Sequence, residues 1–157
     1  MKIRLIVVGK TEQRWIEEGL KNYFDRIGQY ISFDYVIIPE VKLTGKPDPD
    51  RVRKAEGDAI MRKIDSNDHV ILLDERGSQY TSEELADFLQ KLMNQSLKQV
   101  VFIVGGAWGF HEEVYHRARS MVSLSRMTFN HQLVRLIFAE QLYRAFTILR
   151  GEPYHHR

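Results

Sequence analysis

The chain has 157 residues, 43% of them hydrophobic and 28% charged, with a net charge of +2 and no cysteine. This length and composition are typical of one soluble globular domain, here residues 1–157, with a core of ordinary size. The lack of cysteine excludes disulfides, thiolate metal sites and cysteine nucleophiles, and it fits the cytoplasm.

The first half of the chain alternates apolar and amphipathic segments. Residues 2–9 are a β-rich apolar run and predict a strand, and residues 11–28 carry apolar positions at helical spacing. Residues 31–40 predict a second strand. Residues 41–50 combine glycine, proline and aspartate and predict a loop. Residues 51–64 predict a second helix.

The second half repeats the alternation with stronger patterns. Residues 69–77 predict a buried strand that ends in a charged turn, and residues 81–95 predict a helix opened by a Thr-x-x-Glu capping box. Residues 99–110 predict a buried strand that runs into a glycine turn. A short helix over 111–120 and a short strand over 121–125 follow.

The last predicted helix, residues 130–151, is apolar nearly all round. A helix of this kind is buried on both sides. In so small a domain, a second subunit is the simplest cover for the outer side. We therefore expect a homodimer formed through this helix.

The order of elements predicts the fold class. Continuous apolar strands that alternate with helices indicate an α/β protein, with a parallel sheet covered by helices on both faces. Ligands of such sheets bind beyond the carboxyl ends of the strands. Three such ends carry unusual sequences: "LLDERG", "VGGAWGF" and "SLSRMTFNHQ".

Charge is unevenly distributed along the chain. Residues 114–157 hold seven arginines, no lysine and two glutamates, whereas residues 1–113 carry a net negative charge. Arginine is well suited to phosphate, so the C-terminal part is expected to face an anionic partner such as nucleic acid. No apolar stretch is long enough for a membrane span, so we expect a soluble cytoplasmic protein without a membrane partner.

Two of the three strand ends leave alternatives open. "GGAWG" matches neither a dinucleotide nor a Walker fingerprint, and it can be a tight turn or a close approach of backbone to a ligand. "SLSRMTFNHQ" can be an ordinary strand-to-helix connection with Thr128 or Asn130 as the helix cap. Alternatively, its backbone groups and small hydroxyls bind a ligand.

Four stretches together carry a family resemblance, and they span nearly the whole chain: "KIRLIVVGK", "ILLDERG", "FIVGGAWGF" and "SLSRMTFNHQLVRLIFAEQLYRAFTILRGEPYHH". In these motifs the sequence resembles the large-subunit ribosomal RNA methyltransferase H family, which is of the SPOUT class. The resemblance implies an α/β fold with a C-terminal trefoil knot, a rare exception among protein topologies. It also implies a homodimer.

The resemblance further implies S-adenosylmethionine as the cofactor, held by the strand-end loops. The positions that match the family's cofactor-binding motifs are Leu73, Gly105, Gly106, Leu124, Ser125, Arg126, Met127, Thr128 and Phe129. Their chemistry is consistent with this role. Leu73, Leu124 and Met127 can line an apolar slot for adenine, and backbone groups of residues 124–129 can bind its polar edge.

The implied reaction methylates N3 of a pseudouridine in helix 69 of 23S rRNA in the assembled ribosome. Because that N3–H is only weakly acidic, a base should remove its proton or hydrogen bonds should stabilise the anion. Our hypothesis is that His155 or His156 takes the proton and that Tyr154 contacts the base. The alternative is that these residues only bind RNA.

Other residues have simpler roles available. Arg135, Arg144 and Arg157 are candidates for RNA binding, although Arg144 can instead pair with Glu140 four residues earlier. The histidines lack the spacing of a metal site, so no metal is expected. Two rival hypotheses are a ribosome-binding module without catalysis, and a small-molecule nucleotide-binding enzyme on a simple doubly wound sheet.

Overall fold

A computed structural model describes residues 1–46 and 48–156. Over this part of the chain, five strands alternate with five helices. The strands are β1 (Lys2–Val8), β2 (Ser32–Ile38), β3 (His69–Gln79), β4 (Gln99–Val104) and β5 (Ser120–Ser123). The helices are α1 (Arg14–Ile27), α2 (Pro49–Met61), α3 (Ser82–Met93), α4 (Glu112–Arg117) and α5 (Leu133–Leu149).

The five strands form one sheet in the order β2-β1-β4-β3-β5, and every neighbouring pair is parallel. Strands β1 and β4 lie inside the sheet, and their almost wholly apolar sequences are buried nearly throughout. This is the pattern expected of a parallel strand covered on both sides. The predicted α/β class is therefore confirmed.

Helices cover both faces of the sheet. On one face, Ile3, Leu5 and Val7 of β1 belong to a core that includes buried residues of α1, α3 and α5. On the other face, Ile6 and Val8 belong to a core with residues of α2 and α4. The alternation follows from the period of two in a strand, which sends successive side chains to opposite faces.

Helix α5 lies between α1 and α3, and this placement explains part of its apolar character. Phe138 and Leu142 face the sheet core, while Leu136 contacts α1 at Gly19. The helix begins at Leu133 rather than at residue 130, because the Asn130 side chain accepts hydrogen bonds from the backbone N–H groups of residues 132 and 133. Two flanking helices thus cover part of the apolar surface of α5 within one chain.

Strand β3 runs farther than predicted, to Gln79 instead of residue 77. Its pairing with β5 shifts register between Leu73 and Ser78. Gly77 permits this close approach, since a Cβ added there would lie 2.7 Å from the carbonyl oxygen of Met121. The shift sets Asp74, Glu75 and Arg76 apart as an irregular segment at the carboxyl end of the sheet.

None of the helices described is both long and apolar enough to cross a bilayer.

Candidate active site

A cleft of about 550 Å³ opens at the carboxyl ends of β3, β4 and β5. Its walls come from three separate segments: residues 73–76 of β3, the glycine loop after β4, and the segment between β5 and α5. The lining is completed by Tyr115 of α4, by His131 just before α5, and by Val134 of α5. This is the edge at which parallel α/β sheets bind ligands.

The cleft brings together seven of the nine residues proposed to bind the cofactor. These are Leu73, Gly105, Leu124, Ser125, Met127, Thr128 and Phe129. The other two, Gly106 and Arg126, are not in the lining. Gly106 faces the buried carboxyl group of Glu56, and Arg126 is exposed.

Side-chain hydroxyls hold the segment between β5 and α5 in shape. Buried Ser123 donates from Oγ to the carbonyl oxygen of Ser125 at 2.8 Å, and Ser125 Oγ accepts from the backbone N–H of Met127 at 2.9 Å. Thr128 Oγ1 donates to Glu75 on the β3 segment at 2.7 Å. The segment is therefore a fixed turn that leaves backbone groups and Met127, 75% exposed, at the cleft.

The glycine loop after β4 is a tight turn and also a cleft wall, so both interpretations of "GGAWG" apply. Gly106 and Gly109 form an antiparallel bridge, and Gly109 has a φ of +82°, which favours glycine. Phe110 packs into the core against Tyr115, with ring centroids 5.6 Å apart. Trp108 is 55% exposed at the cleft, and α2 braces it because Arg53 donates to its carbonyl oxygen at 3.3 Å.

Five charged or polar residues that line the cleft were not assigned to the site from the sequence: Asp74, Glu75, Arg76, Tyr115 and His131. The Tyr115 hydroxyl donates to Asp74 Oδ2 at 2.6 Å. Asp74 Oδ1 accepts from the backbone N–H of Arg76 at 2.9 Å and from its Nε at 3.3 Å. The Arg76 guanidinium also lies 4.8 Å from the centre of the Tyr115 ring. The sequence "LLDERG" predicted a charged turn at this strand end, but it did not indicate that Tyr115 of α4 would bind Asp74.

This arrangement keeps Asp74 ionised. Burial alone would raise the pKa of Asp74, but the hydrogen bonds from Tyr115 and Arg76 outweigh burial and lower it. Burial and the bond to Asp74 both raise the pKa of Tyr115, which therefore remains a hydrogen-bond donor. The cleft consequently holds a fixed negative charge beside the positive charge of Arg76.

The C-terminal tail, residues 152–156, packs against the body of the protein. Tyr30 donates to Glu152 at 2.6 Å, and this bond is the main cause that raises the pKa of Tyr30 to about 12. The Tyr154 hydroxyl donates to Glu140 at 3.1 Å, and its ring meets Tyr143 edge-on. Burial is the first cause that raises the pKa of Tyr154.

The two tail histidines differ in their surroundings. His155 lies between Arg144, 3.1 Å from its Nδ1, and Glu83, 3.0 Å from its Nε2. His156 is exposed. Neither histidine lines the cleft of its own chain, so the structure groups the tail with α3 and α5 rather than with the cofactor-binding segments.

The three arginines proposed to bind RNA from the sequence differ in their surroundings. Arg135 is fully buried, and its guanidinium donates to the carbonyl oxygens of Val8 at 2.7 Å and Gly9 at 2.9 Å. A side chain with no exposed surface cannot reach RNA, so the prediction for Arg135 is wrong in this structure. Arg144 is paired with Glu140, and Arg157 lies outside the described residues.

The cleft fits S-adenosylmethionine on its own chemistry. Leu73, Val104 and Leu124 give it an apolar wall suited to adenine. Gly105 packs closely against Phe110, since a Cβ added there would lie 3.2 Å from the ring, so the backbone itself forms the cleft wall at this point. The charged residues at the end of β3 suit the polar half of the molecule.

Comparison with known proteins agrees with this geometry. A family model described as a predicted SPOUT methyltransferase matches residues 1–155. Full-length relatives named ribosomal RNA large subunit methyltransferase H are 50% identical in Christiangramia forsetii and 46% identical in Flavobacterium johnsoniae, over 100% of both chains. The relative in Parabacteroides distasonis is 44% identical over 99% of both chains.

The chain belongs to the SPOUT methyltransferase family. It is therefore an enzyme of the methyltransferase class, and membership implies the trefoil knot of the C-terminal part. Across residues 1–46 and 48–156, no three histidine, aspartate or glutamate side chains form a group that could hold a metal ion.

Proposed function

We propose that the protein transfers a methyl group from S-adenosylmethionine to N3 of a pseudouridine in helix 69 of 23S rRNA on assembled ribosomes. The observation that carries the proposal is the cleft, in which seven of the nine motif residues meet. The names of the full-length relatives support rRNA as the substrate class. Assembled ribosomes place the activity in the cytoplasm.

In this proposal, Leu73 and Leu124 pack against adenine, and backbone groups of residues 124–129 bind its polar edge. Gly105 lets the chain pass close to the ribose. When bound, S-adenosylmethionine supplies an electrophilic methyl group on a sulfonium. The fixed turn between β5 and α5 orients the cofactor before the RNA arrives, which lowers the entropic cost of alignment.

The tail of one subunit acts on the proton of the nucleobase at the cleft of the partner subunit, because neither tail histidine lines the cleft of its own chain. His156 is exposed and takes or relays the N3 proton, whereas His155, held by Arg144 and Glu83, positions the segment. Tyr154 packs on Tyr143 and Arg144, so it holds the tail against α5. Exposed Arg126, next to the cleft, contacts the RNA backbone, as does Arg157.

The proposed assembly is a homodimer of single SPOUT domains. Leu133 and Ile137 are half-buried, large and apolar, and they lie on the helix that carries the tail. A second copy would cover them at little cost, since apolar area removed from water stabilises an interface. Light scattering during gel filtration would test this, with twice the chain mass expected.

The test of the function is transfer of labelled methyl from S-adenosylmethionine to ribosomes that lack the modification. Matched ribosomes that also lack the pseudouridine serve as the control. Label in helix 69 only when the pseudouridine is present would support enzyme class and substrate together. No label on either sample, with folded protein, would contradict the proposal and favour a ribosome-binding module.

A further inference from the structure

Asp74 and Arg76 form a pair of opposite charges at one end of the cleft. Both residues line it, and they stand two positions apart on β3, so their side chains project to the same side of the strand. Glu75, between them, also lines the cleft, and its carboxylate accepts a hydrogen bond from Thr128. The apolar wall and the backbone turn suit adenine and ribose, so the polar half of the cofactor is left to the charged side chains at this end of the cleft.

The pair is fixed before any ligand binds. The Asp74 side chain is only 10% exposed, and three hydrogen bonds from Tyr115 and Arg76 set its orientation. A carboxylate offers about four acceptor positions, so one remains for a ligand. Arg76 is held by its Nε and by the Tyr115 ring, and a guanidinium has five N–H donors, which leaves donors for a ligand carboxylate.

We infer that Asp74 and Arg76 bind the amino-acid end of the methyl donor, and this inference rests on the proposed function. The carboxylate of Asp74 accepts from the ligand ammonium, and the guanidinium of Arg76 donates to the ligand carboxylate. An amino-acid zwitterion carries both charges on adjacent atoms, and an adjacent anion and cation complement it. Neutral adenine gains nothing from such a pair.

Tyr115 is a positioning residue in this assignment. Its hydroxyl holds Asp74 Oδ2, and its ring supports the guanidinium of Arg76. It touches both charged groups from α4, the helix that follows the glycine loop. The loop and the charged pair are therefore tied to one another through the Phe110 and Tyr115 contact.

The experiment measures the affinity of the full chain for three probes by isothermal titration calorimetry. S-adenosylmethionine has the amino acid and the sulfonium, S-adenosylhomocysteine has only the amino acid, and 5′-methylthioadenosine has neither. The variants are Asp74→Asn and Arg76→Gln. Asp87→Asn, an exposed carboxylate on α3 outside the cleft, is the matched control.

For each cleft variant we expect affinity for the first two probes to fall together, on the order of 10- to 100-fold, as for loss of a charged hydrogen bond. Affinity for 5′-methylthioadenosine should stay within about twofold, which also shows that the cleft is folded. Asp87→Asn should bind all three as the wild type does. Arg76 is 65% exposed, so its variant is informative even if Asp74→Asn is poorly folded.

Three outcomes would overturn the inference while the proposed function stands. Unchanged affinities in both variants would show that the pair does not touch the ligand. Loss for S-adenosylmethionine alone would assign Asp74 to the sulfonium. Equal loss for all three probes would indicate a general change of the cleft. Wild-type protein that binds no probe would overturn the proposed function, and the inference with it.

Discussion

His155 Nε2 lies 3.0 Å from Glu83 Oε1, although the two residues are 72 positions apart in the chain. Glu83 is in the first turn of α3, and His155 is near the C-terminus. The contact joins the tail to the start of α3. This helix follows β3, and it therefore begins at the carboxyl edge of the sheet, where the cleft opens. Tail residues are usually mobile unless they are tied down, and this pair ties the tail down.

The two tail histidines should therefore respond differently to substitution. His155→Ala removes a half-buried contact and should lower the free energy of unfolding by about 1 kcal/mol. His156→Ala should leave stability within about 0.5 kcal/mol, because the side chain is exposed, but lower methyl transfer about 100-fold. Urea denaturation and single-turnover transfer to ribosomes measure the two effects.

Glu83→Gln is the matched control, since it removes the anion under His155 and keeps both imidazoles. It should reproduce part of the stability loss of His155→Ala. Affinity for S-adenosylmethionine should stay unchanged in all three variants, because none of these residues lines the cleft. Near-normal transfer by both histidine variants would show that neither imidazole is the base.

Arg135 should matter for folding and not for RNA. Its guanidinium satisfies the carbonyl oxygens of Val8 and Gly9 at the end of β1, and its side chain is fully buried. Arg135→Ala would leave these acceptors unpaired beside a cavity, so the free energy of unfolding should fall by about 3 kcal/mol. Urea denaturation followed by circular dichroism measures the loss.

Arg14→Ala makes the same change on the surface, where the side chain is 91% exposed and pairs with Glu18 four residues on. That variant should lose less than about 0.5 kcal/mol. A stable Arg135→Ala protein with weakened ribosome binding would contradict the structural role and restore Arg135 as an RNA contact.

The helices and strands were predictable because each is specified by residues close together in the sequence. Apolar runs such as residues 99–104 and the capping box of Thr81 and Glu84 predict elements from a few neighbouring residues, and the structure has them. The parallel sheet follows from the alternation of such elements. A trefoil knot does not follow, since it depends on the path of the chain and not on local pattern, and only family membership implies it.

The site was predictable only in part, for the same reason. Leu73, Gly105 and residues 124–129 stood out as unusual strand ends. Asp74 is held as an anion by Arg76, two positions on, and by Tyr115, which is 41 positions away and which no local pattern indicates. Arg135 was misassigned because its partners are backbone carbonyls of β1, and a sequence pattern does not show which carbonyls lie near a side chain.

A side chain at Gly106 should collide with the buried carboxyl group of Glu56. A Cβ added at Gly106 would lie 2.8 Å from Oε1 of Glu56 and closer still to Oε2. Gly106→Ala should therefore displace the buried Glu56 carboxyl group from its position and lower the free energy of unfolding by about 2 kcal/mol. Differential scanning calorimetry of the single and double variants measures this.

The double variant Gly106→Ala/Glu56→Ala should recover at least about 1 kcal/mol relative to additivity, because the overlap is gone. Gly28→Ala is the control, since Gly28 has helical φ and ψ and its nearest neighbour would be 3.4 Å from the new Cβ. It should change stability by less than about 0.5 kcal/mol. Additive effects at Gly106 and Glu56 would contradict the steric account.

Buried Glu56 and half-buried Asp74 should make stability depend on pH in opposite directions. Burial, and then the charge of Glu40, raise the pKa of Glu56, so the folded protein holds that proton more tightly than the unfolded chain does. Wild-type stability is therefore penalised as pH rises above the ordinary glutamate value of about 4.3. The free energy of unfolding of Glu56→Gln should rise relative to that of the wild type from about pH 4 to 7.

Asp74 has a lowered pKa despite its burial, because Tyr115 and Arg76 bind its anion. Its contribution is fully present above the ordinary aspartate value of about 3.9 and is lost as pH falls through the folded value, so the deficit of Asp74→Asn should shrink in acid. Urea denaturation across this range measures both differences, and Glu18→Gln, which changes an exposed carboxyl group on α1, is the control variant. Curves of the same sign for Glu56→Gln and Asp74→Asn would contradict the opposed environments of the two carboxyl groups.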